Sequence, residues 1–289
     1  MIWNANILAN NPEAFLVFDR WQPESAETQI AKRYRALDWL HASASAQFSA
    51  DDLHRILRAI TVPRQNIWVV DLRQESHGFI DGIPISWNGK KNAANVGKTA
   101  EQIQRLENSL LEELRQKKTV TVYTLEKLPD GDFIAVRPEV LIPEQIESEQ
   151  QLVTSLGANY KRLYVLDHNK PDNTTVDDFV YFIKNKVKDH DWLHFHCRGG
   201  RGRSSTFIAM YDMVRNATTT SFAKIMQRQA KAGNINLSVA PNSIESEWKF
   251  ADFQIRADFL KEFYEYVLDP NGYKSTTWTK WKVTQQKKS

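Results

Sequence analysis

The stretch Trp192-Leu193-His194-Phe195-His196-Cys197-Arg198-Gly199-Gly200-Arg201-Gly202-Arg203-Ser204-Ser205-Thr206 decides how this chain is read. It holds the only cysteine of the sequence, Cys197. The run Trp192 to Phe195 predicts a short strand leading into it. Three glycines in four positions, Gly199, Gly200 and Gly202, let the backbone turn tightly with its N–H groups pointing inward. Arg203 follows Cys197 after five intervening residues, and Phe207, Tyr211 and Val214 then recur at helical spacing. The order is strand, glycine-rich loop, helix, with a thiol at one end of the loop and a guanidinium at the other.

That arrangement suits a phosphate dianion. Loop amides and a helix N-terminus bind an anion without side chains, and Arg203 can hold two phosphate oxygens with its planar fork. The same positive surroundings favour the thiolate of Cys197, which is then available to attack phosphorus. Ser204 is positioned to hydrogen-bond that sulfur and help it leave in a second step. A lone cysteine beside a glycine turn is more often a core residue, but that reading leaves Arg198, Arg201 and Arg203 unexplained. The loop lacks the Gly-Lys-[Ser/Thr] ending of a nucleotide-binding loop, which argues against ATP or GTP.

His196-Cys197, five residues, Arg203 and Ser204 together resemble the signature of the cysteine-dependent protein tyrosine phosphatase superfamily. A phosphate ester with an alkyl leaving group also needs a proton donor, best supplied by a carboxyl on a facing loop. Asp167 is the candidate. It ends the predicted strand Tyr160–Leu166, thirty residues before Cys197, on a loop stiffened by Pro171.

Composition fits a soluble enzyme, and strands alternating with helices between Tyr160 and the Cys197 loop argue for an α/β fold with a parallel sheet. With 289 residues, 42% hydrophobic and 25% charged, the chain can bury a sizeable core. A net charge of +3 gives no reason to expect nucleic-acid binding, so functional charge must be local. One cysteine excludes an intrachain disulfide. No apolar run is long enough to span a membrane, and Met1 to Asn10 does not read as a signal peptide. The expected location is cytoplasmic, or wherever a route independent of a signal peptide delivers the protein. No cofactor is expected, and no His/Asp/Glu cluster has metal-ligand spacing, so the metal prediction is none. Oligomeric state is not legible.

Along the chain, Ser49 and Asp52 form a capping box before a helix with Leu53, Ile56, Leu57 and Ile60 on one face. Ile67-Trp68-Val69-Val70 reads as a buried parallel strand. It ends in the polar run Asp71-Leu72-Arg73-Gln74-Glu75-Ser76-His77-Gly78, where α/β folds place their sites. Residues 79–98 read as loop. Thr99 with Gln102 caps a helix carrying Ile103, Leu106, Leu110 and Leu114. Val120 to Leu125, the turn Leu128-Pro129-Asp130-Gly131 and Phe133 to Val136 predict a hairpin. Helices are expected at about 143–156, at a start capped by Thr175 and Asp178, at Ser221–Ala230 and at about 242–267. Residues 270–289 read as a loosely held basic tail.

The resemblance narrows to the protein tyrosine phosphatase-like inositol polyphosphatases, the cysteine phytases. It is carried by Leu40 to Ser49, Val70 to Phe79, Asp167-His168, His196 to Ser204, and Trp248-Lys249 with Arg256. It implies a phosphatase core with a mostly parallel central sheet flanked by helices, residues 1–78 and 160–269, and an inserted β-rich partial barrel, residues 79–159. It also implies Asp167 as general acid, with His168, Lys249 and Arg35 contacting substrate phosphates. Arg256, Arg198 and Arg201 join them as candidate rim cations, with Gly199, Gly200 and Gly202 as the phosphate cradle. The expected substrate is an inositol polyphosphate such as phytate. A phosphoinositide or phosphotyrosine phosphatase, or a silent phosphate-binding module, stays open at this point. The basic Arg198 and Arg201 favour phosphoinositides, while Lys32-Arg33-Tyr34-Arg35 is similar to a phosphotyrosine-recognition loop. The absence of a signal sequence fits an effector delivered by a dedicated secretion system.

Overall fold

The computed structural model describes residues 14–19, 30–129, 132–238 and 247–287, with the side chains of 247–249 excepted. The readings of Met1 to Asn10, of the turn tip Asp130-Gly131 and of a helix start near Asn242 lie outside the described residues, as does the Lys249 side chain. Numbered along the chain, the strands are β1 (Phe15–Phe18), β2 (Arg35–Leu37), β3 (Ala42–Ser45), β4 (Ile67–Asp71), β5 (His77–Ile80), β6 (Ile83–Asn88), β7 (Val120–Lys127), β8 (Phe133–Leu141), β9 (Ile146–Glu147), β10 (Asn159–Arg162) and β11 (Trp192–His196). The helices are α1 (Ala50–Ala59), α2 (Ala100–Arg115), α3 (Glu149–Ser155), α4 (Asn173–Asn185), α5 (Gly202–Asn216), α6 (Phe222–Gly233), α7 (Glu247–Leu268) and α8 (Trp278–Gln286).

The first sheet has the order β10-β4-β11-β3-β2, parallel except for β2. Parallel strands covered on both faces are buried throughout, and β3 and β11 have no exposed residue. Register decides what meets at the C-terminal edge: His196 pairs with Ser45 on one side and Asp71 on the other, and Asp71 pairs with Arg162. Cys197 therefore leaves the sheet at the edge where open α/β folds bind ligands. Behind it α5 is buried from Arg203 to Met213, packed among Phe179, Phe195, Leu260 and Phe263.

The second sheet has the order β8-β7-β1-β6-β5-β9 and is open among the described residues. Its core is Leu16, Phe18, Ile80, Ile85, Trp87, Val120 and Val122 against Leu110, Leu111 and Leu114 of α2. This sheet is not built from 79–159 alone. β1 lies inside it, antiparallel to β6 and parallel to β7, because Leu16, Val17 and Phe18 need an apolar face that a free N-terminal segment lacks. β5 also starts at His77, just ahead of the expected boundary.

Other differences have local causes. The cap of α4 is Asp172, whose carboxylate accepts from Thr175 N at 2.7 Å, and not Thr175. Residues 143–148 are loop and β9, and the helix starts only after the capping residue Ser148. Residues 270–287 of the expected tail are not loosely held. Trp278 and Trp281 of α8 are buried and stack at 5.5 Å, and their ring N–H groups donate to Asn173 and Asp269. Two indoles bury enough apolar surface to hold a nine-residue helix that would be marginal alone. The capping boxes at Ser49 and Thr99 form as the sequence predicts.

Candidate active site

The loop from Cys197 to Arg203 is held from outside by its carbonyls. Gln47 N donates to Arg198 O at 3.1 Å, Arg33 Nη1 to Gly199 O, Arg35 Nη1 to Gly200 O at 3.1 Å, and Ser205 N to Arg201 O at 3.0 Å. In a trans peptide the N–H points opposite to the C=O. Three successive outward carbonyls, followed by the first helical bond of α5 at Arg201, therefore turn the following amides inward, around Cys197, as an anion nest. Gly200 is required here: its φ is +67°, and a Cβ would sit 2.4 Å from Ala46 N. Gly202 is constrained by its neighbour, since a Cβ there would come within 2.9 Å of Arg256 Nη1. At Gly199 a Cβ would meet only the end of Arg33, 3.9 Å away.

Cys197 is buried, 2% exposed, and its Sγ accepts from Ser204 Oγ at 3.2 Å. His196 faces Glu149, with Nε2 2.6 Å from Oε1. Arg203 is the hub. It forms a two-pronged pair with Glu75, Nη1–Oε2 2.7 Å and Nη2–Oε1 2.9 Å, and donates to Val165 O at 3.1 Å. Its Nη2 also lies 3.1 Å from Asp167 Oδ1. Glu75 is held in turn by Arg73, whose Nε donates to Glu75 Oε1 at 2.9 Å while its Nη1 meets Asp19 and Gln47. Burial raises the pKa of Glu75, but Arg203 and Arg73 outweigh it and hold the carboxyl well below its usual range.

Asp167 stands opposite the thiol loop. Oδ1 accepts from His168 N at 3.0 Å, and Oδ2 accepts from Asn92 Nδ2 at 2.9 Å. Burial pushes its pKa up, yet Arg203 and then His168 bring it down to about 2. It is thus an anion in this state.

The candidate rim cations separate into groups. His168 is 30% exposed beside Asp167, in a left-handed turn with φ 65°. Arg256 is buried, donates to His168 O, and packs over Phe253 at 5.1 Å. Burial lowers its pKa, against Asp167 and Asp252. Arg201 is exposed at the start of α5. The backbone of Lys249 lies in the first turn of α7. Arg35 and Arg198 correct the expectation. Arg35 is spent on the back of the loop, bonding Gly200 O, Arg33 O and Ser205 Oγ. Arg198 points away into the second sheet, to Asp19 at 2.7 Å and Asn88 at 3.3 Å, and so braces the loop against β1 and β6. Three residues escaped the sequence reading. Glu75 lies in a polar run read only as a site location, Asn92 in a stretch read as loop, and Lys91 comes close enough to Asp252 to oppose, with His168 and Arg256, the burial that raises its pKa.

One cluster has metal-like composition among the described residues: Asp71, Glu149 and His196 offer atoms within 4.8 Å of one another. Linear spacing hides it because the residues come from three separate segments. Both oxygens of Asp71 and Oε2 of Glu149 are already engaged, while Glu149 Oε1 faces only His196 Nε2. Tyr160 and Arg162 reach Asp71 at 2.8 and 3.1 Å, and Gln47 donates to Glu149 at 2.9 Å. His77 Nε2 lies 3.3 Å from both carboxylates, and Asp71 raises its pKa to about 10 against burial. With an imidazolium and Arg162 in place, the cluster is a buried ion-pair network, and a metal ion would have to displace positive charge.

The family model for PTP-like phytases, described as "Inositol hexakisphosphate", matches residues 70–215, about half of the chain. The chain belongs to the PTP-like phytase family. It is similar to the PTP-like myo-inositol phosphatase of Mitsuokella multacida, solved with myo-inositol-(1,3,4,5)-tetrakisphosphate, at 29% identity and a TM-score of 0.86, covering 95% of this chain and 48% of that one. The PTP-like phytase of Bdellovibrio bacteriovorus matches at 33% identity and a TM-score of 0.76, covering 94% and 95%. The effector protein hopD2 of Pseudomonas syringae pv. tomato is 30% identical over 220 residues, 74% of this chain and 46% of the relative. The chain thus spans about half the length of the Pseudomonas and Mitsuokella proteins. No helix among the described residues is long and apolar enough to cross a membrane.

Proposed function

We propose that this protein is a cysteine-dependent phosphomonoesterase acting on inositol polyphosphates such as phytate. The observation that carries the reading is the meeting of Arg203 with Asp167 at 3.1 Å across the Cys197 loop. A phosphate-binding guanidinium and a proton donor then address the same phosphate.

The thiolate of Cys197 attacks phosphorus and the P–O ester bond breaks, giving a phosphocysteine. Loop amides and Arg203 hold the three equatorial oxygens as charge builds. The leaving oxygen takes its proton from Asp167. Water then attacks phosphorus, Asp167 accepts the proton, and the S–P bond breaks. Ser204 Oγ, 3.2 Å from Sγ, stabilises the returning thiolate. The low pKa of Asp167 belongs to the state in which Arg203 faces it. A phosphate dianion in the loop redirects that guanidinium and adds negative charge nearby, and both raise the pKa of Asp167. The acid is charged with its proton as substrate binds.

His168, Arg201, Lys249 and Lys91 supply positive charge for the phosphates that stay outside the loop, with Arg256 backing His168. A compact polyanion uses such a rim better than a single phosphotyrosine does. The Pseudomonas relative is named an effector, which supports export without a cleavable signal. The test is a panel of phytate, phosphoinositide vesicles and phosphotyrosine peptide with wild type and Cys197→Ser. Phytate should be preferred and Cys197→Ser inactive but still able to bind phosphate. Preference for the peptide at physiological salt, or retained turnover above a few per cent in the variant, overturns the proposal.

A further inference from the structure

We propose that Asn92, on the loop between β6 and α2, is a positioning residue for the Asp167 acid, keeping Oδ1 available to carry the proton given to the leaving group. The inference rests on the phosphatase reading above. Asn92 Nδ2 donates to Asp167 Oδ2 at 2.9 Å. The carbonyl oxygen of a neutral carboxyl is a better acceptor than its hydroxyl oxygen. An amide N–H held against Oδ2 therefore offsets the backbone N–H of His168, which donates to Oδ1 and by itself would drive the proton to Oδ2, and so keeps Oδ1 available to carry it. Oδ1 uses one direction for His168 N at 3.0 Å and faces Arg203 Nη2 at 3.1 Å with the other. When phosphate takes Arg203, the proton on Oδ1 points toward the phosphate and its departing oxygen.

The loop is built to hold this contact. Lys91 and Asn92 both have left-handed backbones, φ 53° and 56°, a conformation that asparagine tolerates best among residues with side chains. Two such residues in succession persist only where the surroundings impose them. Here Lys91 N donates to both oxygens of Asp132, at 3.0 and 3.1 Å, and Asn92 N to Gly89 O at 2.9 Å. Asn92 is 6% exposed, and its own Oδ1 is buried without a hydrogen-bond partner. A side chain serving only the fold would have both ends satisfied. The asparagine comes from the second sheet, so the acid is aligned only where that sheet meets the thiol-bearing one.

Charged groups face Asp167 from several elements: Arg203 from α5, Glu75 from the loop after β4, Arg256 from α7 and His168 from its own turn. Arg203, His168 and the Asn92 hydrogen bond lower its pKa, while burial and Glu75 raise it. Removing the Asn92 donor should therefore move it up.

The experiment uses aryl phosphates from p-nitrophenyl to phenyl, so it does not depend on inositol. Asn92→Ala should leave p-nitrophenyl phosphate turnover within about threefold, because that leaving group needs no proton. Phenyl phosphate turnover should fall by about tenfold or more, within the range for a positioned proton donor. The basic limb of its pH profile should move to higher pH. Thermal melting and inorganic phosphate binding report whether the fold and loop persist. Should Asn92→Ala melt early, the isosteric Asn92→Asp, which cannot donate when ionised, should give the same leaving-group split. Equal losses on both esters, or an unchanged phenyl phosphate profile, overturn the assignment. A wild type that cleaves neither ester overturns the phosphatase reading itself, and a wild type that cleaves both but spares phytate overturns only the substrate.

Discussion

Glu75→Gln tests the arginine hub. Glu75 neutralises two buried guanidiniums, Arg203 at 2.7 and 2.9 Å and Arg73 at 2.9 Å, and the side chains of Arg203 and Arg73 are 2% and 0% exposed. Removing one partner of a buried pair costs about 3–5 kcal/mol. Glutamine keeps the shape and one acceptor, so about 3 kcal/mol is expected. Unfolding entropy near 2.1 cal/mol/K per residue gives roughly 0.6 kcal/mol/K for this chain, and hence a melting temperature lower by about 5 °C. Glu75 has a depressed folded-state pKa, so its contribution is present above the unfolded value and is lost as pH falls through the folded value. The deficit of Glu75→Gln should accordingly shrink toward acid pH. Arg203 also loses its fixed fork, and kcat/KM for p-nitrophenyl phosphate should fall by about tenfold or more. Melting curves at several pH values and initial rates supply both numbers. A melting temperature within 1 °C of wild type at neutral pH, with turnover unchanged within about twofold, would refute the reasoning.

Asp167→Asn should slow phytate hydrolysis by roughly a hundredfold or more and an activated aryl phosphate far less; equal losses in a rate comparison would make Asp167 structural. Gly200→Ala forces a side chain into a left-handed backbone against Ala46 N and Ser45 C, at 2.4 and 2.6 Å, so melting should drop by an amount matching about 2 kcal/mol or more and phosphate binding should fail; normal phosphate affinity by calorimetry would contradict the loop geometry. His77 has a folded-state pKa raised to about 10, so its stabilisation is full below about pH 6.5 and disappears as pH rises through 10. The stability advantage of wild type over His77→Gln should therefore fade between those values, and a constant difference in melting temperature would exclude a buried imidazolium.

Residues close in sequence were legible because their chemistry is local. The strand, glycines and helix around Cys197 suggest a phosphate loop by their spacing, and Ser49 and Thr99 announce their helices through hydrogen bonds three residues long. Asp167 was singled out at the end of an expected strand Tyr160–Leu166, but β10 ends at Arg162 and the irregular residues 163–166 carry Asp167 to Arg203. β3 was not legible: Ala42-Ser43-Ala44-Ser45 carries no strand signal of its own and becomes a central strand only by pairing with β11.

What tertiary structure decided is where long side chains go. Arg35 and Arg198 look like substrate cations in the sequence, because a guanidinium beside a phosphate loop implies an anion. The fold offered each a nearer partner, loop carbonyls for Arg35 and the buried Asp19 for Arg198, and a buried charge must take the partner that satisfies it. Glu75 and Asn92 show the reverse. Each sits far along the chain from the group it holds, 128 residues from Arg203 and 75 from Asp167: the pairing of β4 with β11 inside the first sheet brings Glu75 to Arg203, and the approach of the second sheet brings Asn92 to Asp167. The sequence by itself singled out Cys197, its glycine-rich loop and Asp167 as the proposed nucleophile, phosphate loop and acid. The packing of two sheets decided which charges serve that loop and which are left to face a substrate.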